Sequence, residues 1–135
     1  MKRDIITNFY ILQPRQNILF IQILSAWDGR VADAYIKDLN TITDRFFRDR
    51  QWGVLVDLRA WELNTPEAEK KIWESNRSFV NNPTHVATIV GDSETKIWQM
   101  KNMLRDVDKF KVELFTGDKA AREWMAAAGY DTFGL

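Results

Sequence analysis

Three aspartates invite a chemical reading first. Asp28, Asp57 and Asp92 each follow an apolar run and stand close before a helix signal. Hard cations such as Mg²⁺ accept clustered carboxylates, and phosphate chemistry on parallel sheets uses such clusters. Capping accounts for Asp28 and Asp92 equally well, and Asp57 can tie down its own turn. A phosphate enzyme of the receiver or phosphatase kind would also want paired acids on one loop and a lysine after the last strand. Thr116-Gly117-Asp118 supplies no lysine there, and Lys119 already falls within a helix. The expectation is therefore no bound metal, no cofactor and no catalytic residue, with an Mg²⁺-dependent phosphate enzyme as the least favoured alternative.

Other reactive sets are missing from the sequence. His85 is the only histidine, and no serine stands in a G-x-S-x-G elbow that would complete a triad with it. It reads as a strand-edge residue. Neither a G-x-G-x-x-G nor a G-x-x-x-x-G-K-[ST] phosphate loop occurs. With no cysteine, disulfides, thiolate metal sites and cysteine nucleophiles are excluded. Two tryptophans placed in loops, Trp27 and Trp61, stand out instead. They either line a pocket or partner surface, or fold back over the end of the core. Asn76 interrupts an apolar helical face between Ile72, Trp73, Phe79 and Val80, as a boundary residue with a backbone partner or as the wall of a small cavity.

These residues must be positioned by ordinary globular structure. The chain has 135 residues, 45% of them hydrophobic and 28% charged, which suits one domain, expected over residues 5–135. No apolar run approaches the roughly 18–20 residues that span a bilayer. Met1-Lys2-Arg3-Asp4 does not begin a signal peptide, so the cytoplasm is the expected compartment. Basic and acidic residues number 19 each. Arg45, Arg48 and Arg50 form the densest basic cluster, but Asp44 and Asp49 interrupt it, so nucleic-acid binding is not expected.

Phe9–Leu12 and Ile18–Leu24 read as a hairpin around Pro14-Arg15-Gln16-Asn17. Asp28 then opens a helix with Val31, Ala34, Tyr35, Leu39, Ile42 and Phe46 on one face. Trp52–Leu58 is a strand apolar on both faces, so it should be covered on both. Thr65-Pro66-Glu67 is a strong helix start: a cap, a residue with no N–H to waste, and an acid at the positive end of the dipole. A strand over His85–Val90 follows, then a helix with Ile97, Met100, Leu104 and Val107 inward. Lys111–Phe115 is the last strand, and a helix from Asp118 ends at Gly129. The order β-β-α-β-α-β-α-β-α predicts an α/β domain with a mostly parallel five-stranded sheet, an antiparallel first strand and helices on both faces. Ligands of open parallel sheets bind beyond the carboxyl ends of the strands. That edge holds Trp27, Asp57, Arg59, Trp61, Asn64 and Thr65, the expected binding residues.

In this order, Val54-Leu55-Val56-Asp57-Leu58, Thr65-Pro66-Glu67-Ala68, the run His85 to Asp92, Leu114-Phe115 and Ala121-Arg122-Glu123-Trp124-Met125 resemble the SpoIIAA-like branch of the STAS domains. The resemblance covers roughly Phe9 to Ala128. It implies a non-enzymatic regulatory or binding module acting through a protein partner, a second copy of the chain included. It also implies a switch by phosphorylation, where the family carries an Asp-Ser-Ser-Gly-like motif at the start of this helix. Here the stretch is Asn64-Thr65-Pro66-Glu67, with Thr65 as the one hydroxyl, and Glu62 and Glu67 would oppose a phosphate on it. The branch is also similar in topology to lipid-binding domains, which makes a carrier or sensor of a small apolar ligand the alternative function.

Overall fold

A computed structural model describes residues 3–133, so the first two residues and the last two of the expected domain lie outside it. β1 (Ile5–Ile6), β2 (Tyr10–Pro14) and β3 (Ile18–Ile23) form an antiparallel meander. The connection of β2 to β3 is tight, with the Arg15 N–H donating to the Ile18 carbonyl at 2.9 Å. β5 (Gly53–Asp57), β7 (His85–Ile89) and β8 (Lys111–Phe115) then add to β3 in parallel.

The sheet runs β1-β2-β3-β5-β7-β8, in chain order throughout. Right-handed crossovers in such a sheet carry every connecting helix to the same face. α1 (Gly29–Phe46), α2 (Pro66–Ser78) and α3 (Glu94–Met103) accordingly share one core, through Ala32, Ala68 and Met100. α4 (Asp118–Ala127) follows the last strand and packs under the other face through Ala121 and Met125. Alternation along each strand feeds both cores: Val54 and Val86 face the three helices, Leu55 and Ala87 face α4. This is why the strands read as continuous apolar runs.

The expected α/β class, mostly parallel sheet and two-sided helix cover are all present. Two features extend it. The short β1 makes the sheet six-stranded. A separate parallel ribbon joins β4 (Ser25–Trp27) to β6 (Trp61–Asn64). Ser25 stands at φ 60°, a left-handed kink that stops β3 and redirects the chain into β4.

Three local expectations need correction. In α1 the buried small residue is Ala32, while Ala34 is exposed, because the stripe runs 32, 35, 39, 42 and 46. α3 ends at Met103, so Leu104 is its cap and Val107 lies beyond it; the chain reaches the left-handed region at Asp106 (φ 59°). Ser93, not Asp92, caps α3, accepting from the Lys96 N–H at 3.2 Å. The other punctuation is as expected. Gly129, at φ +97°, follows the end of α4, where a side chain would be strained.

Candidate functional site

The turn out of β5 is built by Asp57 and Arg59. Asp57 accepts from the Arg59 backbone N–H at 2.9 Å, and the Arg59 guanidinium forks onto both carboxylate oxygens at 3.0 and 2.8 Å. Burial works to raise the Asp57 pKa, but the Arg59 contacts and the charges of Arg59 and Lys96 together hold it below the usual 3.8. Lys96 of α3 reaches across and donates to the Leu58 and Arg59 carbonyls. Asp28 is spent on capping α1, accepting from the Arg30 and Val31 N–H groups at 3.0 Å each. Among the described residues no group of three or more His, Asp or Glu side chains comes together as a metal site. The arginine cluster is similarly occupied: Arg48 pairs with Asp44, and Arg50 holds the Phe46 and Gln16 carbonyls.

Thr65 caps α2, its hydroxyl accepting from the Ala68 N–H at 3.2 Å. The side chain is exposed. Glu67, two residues on, lays its carboxylate on Gly29 at the start of α1. The N-termini of α1 and α2 thus share one carboxylate, which is favourable at both positive helix ends.

Trp27 and Trp61 share the edge, but both turn inward, at 3% and 1% exposure. Trp27 donates its indole N–H to the Phe9 and Leu24 carbonyls and packs against Tyr10 and Tyr35. Tyr10 donates to Asp38 at 2.6 Å; burial and that carboxylate push its phenol well above the ordinary range. Trp61 donates to the Asn64 side-chain oxygen at 3.0 Å. The ribbon of β4 and β6 thereby closes the carboxyl end of the space between the sheet and the helices. In a sheet whose parallel strands follow chain order, the crossovers never part to opposite faces, so the crevice of a strand-order reversal does not form there.

The space lies below. A cavity of about 160 Å³ separates the sheet from the helix layer. Ile21, Val54, Val56, Val86 and Thr88 make its floor. Ile72, Met100, Met103 and Leu104 make its roof, and Trp27 and Trp61 stop one end. The cavity is half open rather than sealed, so a guest can enter it from solvent. Its wall contains no Asp, Glu, His, Lys or Arg among the described residues.

The roof is fastened by polar bonds as much as by packing. Gln99 of α3, 8% exposed, accepts from the Asn64 N–H at 2.9 Å and donates to the Asn64 carbonyl at 3.2 Å, standing in for a further strand beside β6. Asn76 of α2 donates to the Met103 carbonyl, and Trp73 to that of Arg105. Asn76 is thus both a boundary residue with a backbone partner and part of the cavity wall. Sequence reasoning missed Gln99 and Thr88. The signal for Gln99 was a polar residue beside Met100 and Met103 in a helix; Thr88 lay hidden in an apolar strand. His85 packs on the other face, with its Nδ1 2.9 Å from the Tyr130 hydroxyl and its ring against Trp124.

No protein-family model matches the chain, and no curated protein sequence does. Among solved structures it is similar to an uncharacterised protein of the DUF3478 family from Shewanella loihica PV-4, described as having a SpoIIAA-like fold. The TM-score is 0.64 at 13% identity, over 84% of this chain and 88% of that one. The chain therefore has a SpoIIAA-like fold, in agreement with the resemblance read from its strands and helix starts.

Proposed function

We propose that this chain is a non-enzymatic binding module that holds a small, neutral, apolar molecule between its sheet and the roof of α2 and α3. The 160 Å³ cavity carries the reading. Apolar side chains around a space of this size lack packing partners on that side, and a guest of matching shape supplies them. General acid–base chemistry needs a titratable group in reach of the substrate. The uncharged wall therefore supports binding over catalysis. Native mass spectrometry of freshly purified protein tests the reading. A bound small molecule, released on denaturation, is the expected result. A bare mass that stays bare after incubation with benzene would exclude it.

A second reading, a protein-partner surface around the Asp57-to-Thr65 turn, is favoured by Trp98, which is 63% exposed on α3. Leu63 is also exposed, and Gln99 ties its strand to α3. Arg59 and Thr65 contribute the polar exposed part, and phosphorylation of Thr65 would add charge there. Because Trp61 is buried, its substitution would perturb folding; Arg59→Ala and Trp98→Ala are the informative variants. Loss of a captured partner in both supports the surface, and retention in both excludes it. Phosphopeptide mapping after incubation with lysate and ATP tests Thr65, and repeated absence with full coverage removes that modification.

A further inference from the structure

The wall of the cavity is apolar apart from a few polar groups, and one of these is a buried threonine hydroxyl. Thr88 is 2% exposed and lies on the helix-facing side of β7, in the same row as Val86. It lines the cavity. Among the described residues no group donates to its hydroxyl or accepts from it. Of the other polar side chains in the wall, Asn64 accepts from Trp61 and Asn76 donates to Met103, while the Tyr35 hydroxyl and the Trp52 indole N–H, like Thr88, make no hydrogen bond among the described residues. A buried hydroxyl without a partner is costly, and valine would fill the same shape without that cost.

Resting on the proposed cavity-binding role, we infer that the ligand is a single neutral ring carrying one hydroxyl or N–H group, which bonds to Thr88 Oγ1. The size argues for one ring, since a cavity of about 150 Å³ lined by aliphatic and aromatic side chains takes benzene. The wall argues for an aromatic body. Trp27, Tyr35, Trp52, Trp61, Phe79 and Phe110 all reach it, and rings prefer edge-to-face or offset contacts with other rings. The lack of charged side chains argues for neutrality, because an ion placed there would have no counter-charge. Thr88 accounts for the polar substituent, and a hydroxyl can serve it as donor or acceptor.

Calorimetric titration of the wild type and Thr88→Val with benzene and phenol tests this. Phenol is expected to bind the wild type about tenfold more tightly than benzene does, and Thr88→Val to remove that advantage while changing benzene affinity less than twofold. Thr88→Val is expected to melt no lower than the wild type. Equal binding of both probes, unaffected by Thr88→Val, would overturn the assignment of Thr88 and leave the cavity reading standing. Binding of neither would overturn both. A clear fall in melting temperature for Thr88→Val would show that the hydroxyl already has a partner, which also overturns the assignment.

Discussion

Adding one methylene to the cavity floor distinguishes a real void from a filled core. Val54 stands on central strand β5, 6% exposed, and lines the cavity. Val54→Ile keeps β-branching, so strand preference is unchanged. The added carbon occupies about 25 Å³, and at about 24 cal/mol per Å³ of void it recovers about 0.6 kcal/mol. Burying it adds about 0.8 kcal/mol. After a small rotamer cost, the variant should gain about 1 kcal/mol, or about 4 °C in Tm for a domain of this length. In a close-packed core the same change costs about 1–3 kcal/mol by forcing side chains off their rotamers. Equilibrium urea unfolding, read by tryptophan fluorescence and circular dichroism, measures the sign directly. A gain accompanied by weaker benzene binding is expected. A loss of 1 kcal/mol or more would refute the claim that space is available beside Val54.

Other consequences follow from the polar fastenings. Gln99→Ala leaves both backbone groups of Asn64 without their partner; a cost of about 2 kcal/mol is expected in urea unfolding, with faster hydrogen exchange confined first to α3. Thr65→Ala removes the cap of α2 and should cost about 1 kcal/mol, largely restored by Thr65→Asp. For Asp57 the folded pKa lies below its ordinary 3.8, so the stability it contributes is complete above that value and is lost as pH falls through the lower folded one. Arg59 is half exposed, so Arg59→Gln should cost less than about 1 kcal/mol at neutral pH. The difference from wild type should shrink as unfolding is repeated towards about pH 3.

How much of this was legible in the sequence depends on the range of the forces involved. Thr65-Pro66-Glu67 announced its helix because capping, a missing N–H and a dipole charge act within one turn. The strands Gly53–Asp57 and His85–Ile89 announced two-sided burial because alternation fails only when both faces are covered. Trp27 and Trp61 were legible as large aromatics at one edge, but not as inward-facing, since the ribbon that turns them depends on pairing residues 25–27 with 61–64. The ribbon itself was hidden by the kink at Ser25. The cavity was least legible. It arises from the height at which α2 and α3 sit above the sheet, which Gln99, Asn76 and Trp73 set through contacts 27 to 35 residues apart in sequence. Thr88 had no distinguishing mark, because an isolated threonine in a strand is ordinary β-sheet composition.

The central claim is that an apolar void lies between the helix layer and the sheet and accepts a guest. Diffraction from a crystal pressurised with xenon tests it most directly. Xenon enters apolar cavities without needing a polar partner. An anomalous peak is predicted between Val54 and Met100, inward of Trp61. A crystal showing continuous side-chain density there and no xenon would contradict the account.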